Sequence, residues 1–80
     1  MILHVKEAKY LDHYRIWVLF NNGAEGVANL EDLLWGEMFE PLKTFSTFAQ
    51  FTIDTEMQTL TWPNGADLAP EAILERLYVA

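Results

Sequence analysis

The 80-residue sequence contains no cysteine, only one serine, five basic residues and no long hydrophobic run. Without cysteine, disulfide scaffolds, thiol nucleophiles and cysteine-ligated zinc sites are excluded. No stretch approaches the roughly 18 apolar residues that a membrane-spanning helix requires. The scarcity of Lys and Arg also argues against direct nucleic-acid binding, because contacts to phosphates depend on these residues.

The residues that are present indicate a folded domain. Apolar side chains make up 51% of the chain and aromatic residues 14%, which is far from the composition of a disordered segment. The length predicts a single domain over residues 1–80. No basic segment leads into an apolar run near Met1, so we expect a cytoplasmic protein without a signal peptide, and no membrane association.

The charges are unevenly distributed along the chain. Residues 1–20 have a net charge of +1, whereas residues 21–80 contain ten acids and only two bases. Such an acidic surface usually serves solubility. Alternatively, it is a docking surface for a basic protein partner, because complementary charge accelerates association.

The first half of the chain predicts a meander of strands. Strands are expected at 2–8, at 14–20 and at 24–28, with a hairpin turn at Asn21-Asn22-Gly23. Apolar residues lie on both faces of strand 14–20, which indicates a central strand that is covered on both sides or has one face in an interface.

Short helices are predicted after this meander. Asn29 is expected to cap the first by accepting a hydrogen bond from the N–H of Asp32, and Gly36 to end it. Residues 37–43 are expected to be irregular around Pro41. A one-turn helix is predicted next, opened by Thr44 and containing Phe45, Phe48 and Ala49.

The remaining elements are a second hairpin and a C-terminal helix. Strands are predicted at 50–54 and 58–62, and a helix is predicted from Pro70, with Leu68 and Ile73 at the positions of a hydrophobic staple. The apolar stripe of that helix is formed by Ile73, Leu74, Leu77 and Tyr78. The predicted fold class is α+β: a small antiparallel sheet of two hairpins, with short helices and the C-terminal helix packed on one face.

The sequence provides little material for catalysis. His4 and His13 lack a ligand partner at metal-binding spacing, and Ser46 lies outside any nucleophile motif. The carboxylate pairs Glu31–Asp32 and Asp67–Glu71 suit helix starts and loop hydrogen bonds. We therefore expect no enzyme, no metal and no cofactor, and a small enzyme using Asp67 or Glu71 ranks last among the hypotheses.

The aromatic residues and one loop are the strongest candidates for binding. Eleven aromatic residues in 80 are too many for a core of this size to bury completely, and exposed Trp often anchors protein partners. The segment 62–71, WPNGADLAPE, has the residues of a tight turn followed by a helix start. It is either purely structural or a rigid loop that presents binding residues.

This segment, together with LLWGEMFEPLK at 33–43 and YRIWVLFNNGAEG at 14–26, resembles a family of small bacterial proteins catalogued as domain of unknown function 2442. The resemblance implies an α+β fold without enzymatic activity and an antitoxin-like or regulatory role beside another small protein. Some members carry a helix-turn-helix domain after this one. Because the present chain ends at Ala80, we expect no direct transcriptional role. Residues 44–46 differ from the Asp-Pro expected there, and the family supplies no catalytic residue.

Two hypotheses therefore come first. The chain is an acidic protein-binding module with a basic partner, or it is a self-associating domain that binds a small ligand on its sheet or at the WPNGAD loop. The candidate partner-binding residues are Trp17, Glu31, Asp32, Trp35, Glu37, Glu40, Trp62, Asn64 and Asp67.

Overall fold

A computed structural model describes residues 2–78 and shows two antiparallel sheets connected by short helices. The predicted α+β class is confirmed. The strands are β1 (Val5–Asp12), β2 (Arg15–Phe20), β3 (Glu25–Asn29), β4 (Thr52–Ile53), β5 (Leu60–Thr61) and β6 (Leu77–Tyr78). The helices are two short 3₁₀ helices (Glu31–Leu33 and Glu40–Lys43), α1 (Phe45–Phe48) and α2 (Pro70–Leu74).

The larger sheet has the strand order β1-β2-β3-β6. The predicted position of the second strand is confirmed, and β2 is central as expected from its two apolar faces. The first strand begins and ends later than predicted, over Val5–Asp12 instead of 2–8. Its length is set by pairing with β2, which extends to Asp12 opposite Arg15 and passes through two irregularities in register.

The turn between β2 and β3 forms as its residue types indicate. Gly23 has a φ of +88°, which an L-residue rarely adopts, and the Asn22 side chain accepts a hydrogen bond from the Ala24 N–H at 3.0 Å. The Asn21 side chain ties the turn to the preceding segment, because its Oδ1 accepts from the His4 N–H at 2.9 Å.

The core lies on one face of this sheet, called here the inner face. Ile16, Val18 and Phe20 project from β2 into a single apolar cluster. The helices and the second hairpin pack on the same face. Their buried residues in the cluster are Leu42, Phe48, Leu60 and Ile73.

The second predicted hairpin is confirmed, although its strands β4 and β5 have only two residues each. Its turn is held by Asp54, whose carboxylate accepts hydrogen bonds from the backbone N–H groups of Met57 and Glu56. These bonds lower the pKa of Asp54 below its usual range. The N–H of Val5 donates to the carbonyl of Gln58 at 2.9 Å, which links this hairpin to β1.

The end of the described chain differs from the prediction. Helix α2 begins at Pro70 as expected, and the staple residues Leu68 and Ile73 are both buried. However, the helix ends at Leu74, so Leu77 and Tyr78 do not continue its apolar stripe. They form β6 and pair with Ala28 and Val27 of β3, because strand pairing satisfies their backbone groups and completes the sheet.

The segment after β3 also requires correction. The Asn29 side chain accepts a hydrogen bond from the Glu31 N–H at 3.1 Å, not from Asp32, and therefore closes a two-residue turn. The following helix is a single 3₁₀ turn. Part of the segment predicted to be irregular is also a 3₁₀ helix, Glu40–Lys43, with Pro41 in its first turn. Along residues 2–78, the helices are all too short to span a lipid bilayer.

Candidate interaction surface

The segment 31–41, called here the acidic segment, connects the sheet to helix α1 and contains the most exposed tryptophan. Trp35 is 74% exposed, whereas its neighbour Leu34 is buried in the core. Gly36 follows with a φ of +92°, a left-handed conformation that reverses the chain directly after the tryptophan. Burial of Leu34 and the turn at Gly36 together leave the indole directed away from the core.

Four carboxylates accompany this tryptophan, and two of them have basic partners within the chain. Asp32 accepts from Arg76 Nε at 3.0 Å, and Glu40 pairs with Lys43 at 3.2 Å. Among residues 2–78, no side-chain nitrogen of Lys or Arg lies within 4 Å of the carboxylate oxygens of Glu31 or Glu37. Residues 21–42 contain no basic residue at all, so the acidic segment has a strongly negative charge.

The pair between Asp32 and Arg76 fixes the acidic segment to the end of the described chain. Asp32 is the main cause of the raised pKa of the Arg76 guanidinium. Together with Asn29 and Glu31, these two side chains line a surface hollow of about 530 Å³. No local pattern in the sequence indicates this contact, because the two residues are 44 positions apart.

Two further hollows adjoin Trp35 and Gly36. The first, of about 310 Å³, is lined by Tyr14, Glu31, Asp32, Leu34, Trp35 and Lys43. The second, of about 500 Å³, is lined by Gly36, Glu37, Glu40 and Pro41. Met38 is 47% exposed in the same segment. The acidic segment therefore combines exposed apolar side chains, concave surface and negative charge.

The turn at residues 62–66 is hydrogen-bonded to the acidic segment. The Asn64 Nδ2 donates to the Met38 carbonyl at 2.8 Å, and its Oδ1 accepts from the Ala66 N–H at 3.1 Å. Gly65 has a φ of +92°, and the Met38 side chain lies against it. Asn64 thus connects two of the segments on which the family resemblance rests, and its amide acts within the chain.

Trp62 lies in the core. Its side chain is 4% exposed, and its Nε1 donates to the carbonyl of Phe48 at 2.8 Å. The ring packs among Phe39, Phe48 and Phe51. Since a partner cannot reach a ring buried in this way, Trp62 does not belong to the candidate surface.

The other predicted residues divide between separate surfaces. Glu31, Asp32, Trp35, Glu37 and Glu40 lie together in the acidic segment. Trp17 lies on the opposite, outer face of the sheet and lines none of these hollows. Asp67 is exposed beside β5, where it forms an isolated bridge with Thr61. Sequence reasoning missed Met38 and Arg76.

No metal-binding cluster is found among residues 2–78, where no three His, Asp or Glu side chains converge. His13 instead lies 3.6 Å from Asp12 and packs edge-on against Phe45 at a centroid distance of 5.0 Å. His13 therefore forms part of the turn between β1 and β2.

Comparison with known families identifies one match. The model of the family described as "Protein of unknown function (DUF2442)" matches residues 5–78. Neither the curated proteins nor the solved structures contain a match to the chain. Because the family match covers all of the named strands and helices, the chain belongs to this family.

Proposed function

We propose that this member of the DUF2442 family is a non-enzymatic interaction module that binds a basic protein partner through its acidic segment. Trp35 anchors the complex, and Glu31 and Glu37 supply the charge that selects the partner. The observation that carries the proposal is the 74% exposure of Trp35 in a segment where Glu31 and Glu37 form no ion pair with residues 2–78. Trp is the residue most enriched where binding energy concentrates in protein interfaces.

The hydrogen bonds that connect the acidic segment to the rest of the chain support this function. A binding loop gains affinity when it is held in its bound shape, because less conformational entropy is lost on association. Asn64 holds Met38 from one side, and Arg76 holds Asp32 from the other. The exposed indole is thus presented on a fixed support.

The partner follows from the charge of this surface. A protein or peptide rich in Lys and Arg is attracted to residues 21–42, which have five acids and no base. From the family resemblance we further propose an antitoxin-like or regulatory role, in which the partner is a second small protein. A cytoplasmic location is consistent with such a pair and remains part of the proposal.

Affinity capture with matched variants tests the proposal. Immobilised wild-type protein is expected to retain one basic protein at 50 mM salt from a lysate of the organism that encodes the chain. Trp35→Ala and the double variant Glu31→Gln/Glu37→Gln are expected to lose it. The control Glu56→Gln/Glu71→Gln removes the same charge from exposed positions elsewhere and is expected to retain it.

Two outcomes would contradict the proposal. One is capture of the same proteins by all variants, which would place the contact outside the acidic segment. The other is loss of the partner in the control as well, which would show attraction to net charge alone. Circular dichroism of each variant establishes that the loss does not reflect unfolding.

The alternative of a small ligand at the WPNGAD loop receives less support. Both polar groups of the Asn64 amide already have partners in the chain, and Trp62 is buried. The loop therefore presents few free groups for recognition. Thermal-shift screening with metabolites would reveal a ligand if the loop has a different role.

A further inference from the structure

We propose that the outer face of the four-stranded sheet is an interface at which two copies of this chain associate as a weak symmetric dimer. This inference is independent of the proposed basic partner, because the outer face does not include the acidic segment. It rests on the register of the strands, the burial of Val27 and the charges on the face.

The register arranges the outer face in three rows. In an antiparallel sheet, directly paired residues project on the same side. The central row is apolar over three strands and contains Lys9, Trp17, Val27 and Tyr78. The other two rows lie on opposite sides of the central row. The second row contains Glu7, Leu19 and Glu25, and the third row contains Asp12, Arg15 and Asn29.

Val27 shows that this central row is an apolar cluster of its own. Among the described residues, it is the one buried apolar residue that does not belong to the core cluster. It is only 5% exposed, and its neighbours across the sheet are Trp17 and Tyr78, which remain partly exposed. Every described helix and the second hairpin pack on the inner face, so within residues 2–78 no helix and no second sheet lies over this row. Val27 is covered by side chains of its own sheet.

The charges on this face identify a second copy as its occupant. The five charged residues in the three rows have a net charge of only −1, whereas the whole chain has −7. Two identical acidic molecules therefore repel each other least when they approach through their outer faces. A basic partner, by contrast, is drawn to the acidic segment.

The symmetry brings one cation of each copy toward two carboxylates of the other. A two-fold axis that runs across the strands through the central row places the second row of one copy opposite the third row of the other. Arg15 of the second copy then faces Leu19, between the carboxylates of Glu7 and Glu25. Trp17 and Lys9 each face their own symmetry mates, and Asp12 faces Glu7. The like-charge contacts of Lys9 and of Asp12 with Glu7 keep the association weak. The Arg15 side chain is already oriented by Asp12, whose carboxylate accepts from its Nε at 2.6 Å.

The size of the face predicts the strength of the dimer. Four strands spaced by about 4.8 Å and five residues of about 3.3 Å each give a footprint of roughly 19 by 17 Å. This is smaller than the ~800 Å² that each partner buries in a standard interface. We therefore expect a weak association of the kind found in transient complexes.

Sedimentation velocity between 10 and 500 μM tests the dimer. The wild-type chain is expected to sediment faster as its concentration rises. Trp17→Glu is expected to weaken association at least about tenfold, because it removes the central anchor. Trp35→Glu makes the same change at the other accessible tryptophan, outside this face, and is expected to dimerise as the wild type does.

A second pair of variants tests the symmetry. Glu25→Lys is expected to weaken association about two- to fivefold, since it places a second cation beside the incoming Arg15. Glu56→Lys alters the net charge equally in the turn between β4 and β5 and is expected to strengthen association slightly. This comparison remains informative if Trp17→Glu disturbs the sheet.

Three results would overturn the proposal. The first is a wild-type chain that stays monomeric up to 500 μM. The second is a dimer that Trp35→Glu disrupts as strongly as Trp17→Glu. The third is a monomeric wild type that captures a protein other than the basic partner, when Trp17→Glu fails to capture that protein. This result would assign the outer face to the captured protein. None of these results would affect the test of the basic partner.

Discussion

At the residue scale, Asn64 connects two exposed segments, because its amide joins residues that lie 26 positions apart. The donor group holds the Met38 carbonyl, while the acceptor group closes its own turn through Ala66. The backbone of the acidic segment thus depends on the Asn64 amide, whose oxygen and nitrogen both bond within the chain.

We expect Asn64→Ala to lower the free energy of unfolding by about 1 kcal/mol, since two exposed or partly buried hydrogen bonds are lost. Its distinctive effect is local. Hydrogen exchange should accelerate at the amides of Phe39 and Glu40, which donate to the Gly36 carbonyl. Urea unfolding and exchange mass spectrometry measure the two effects.

Asn22→Ala is the matched control for this substitution. It removes one local hydrogen bond in the turn between β2 and β3 and should leave exchange in the acidic segment unchanged. Equal exchange in the Asn64 variant and the wild type would show that the turn does not support the acidic segment.

At the scale of elements, the joint between β3 and β6 leaves no room for a side chain at position 26. A Cβ atom added at Gly26 would lie 2.6 Å from the Tyr78 carbonyl oxygen and 3.3 Å from the Leu77 side chain. Real Cβ atoms do not approach a backbone oxygen so closely, so β6 packs against β3 only because position 26 is glycine.

We therefore expect Gly26→Ala to displace β6 and to destabilise the fold by about 1–3 kcal/mol, as overpacked sites do. Chemical shifts of Leu77, Tyr78 and Ala28 should move, while those of the second hairpin should not. Ala24→Gly, at the end of the preceding turn, provides a control for backbone flexibility. An unshifted β6 in the Gly26 variant would refute this account.

The sequence predicted most elements and their order, because their causes are local. Alternating β-branched and aromatic residues define β2, two asparagines and a glycine define its turn, and Pro70 begins α2. The strand β6 has no such local cause. Leu77 and Tyr78 fit the apolar stripe of a helix equally well. They form a strand because the edge of β3 is available for pairing.

The candidate site was predictable in part for the same reason. Residue types identified the acidic segment and Trp35, since charge and aromatic content are visible without a fold. Burial is not visible in this way. Trp62 and Trp35 are each followed within three residues by a glycine with positive φ, yet the first is in the core and the second is exposed.

At the scale of the whole molecule, the net charge of −7 acts in opposite directions on the two proposed contacts. Added salt screens the attraction between the acidic segment and a basic partner. The same screening reduces the repulsion between two acidic copies. The contacts should therefore respond to ionic strength with opposite signs.

We expect capture of the basic partner to fall between 50 and 500 mM salt, while self-association of the purified chain rises over the same range. Sedimentation velocity and capture yield measure the two effects in the same buffers. The double variant Glu56→Gln/Glu71→Gln removes two negative charges outside both contacts, so it should flatten the rise in self-association. Self-association that weakens with salt would show that ion pairs, rather than net charge, dominate the dimer.

The three tryptophans occupy three different environments, and this makes them optical reporters of the separate surfaces. Trp62 should emit at short wavelength and resist quenching, because water does not reach its ring. Caesium ions should concentrate around Trp35 and quench it preferentially, whereas iodide is repelled from the carboxylates beside it. Changes at Trp17 and Trp35 can then be followed in one unlabelled sample.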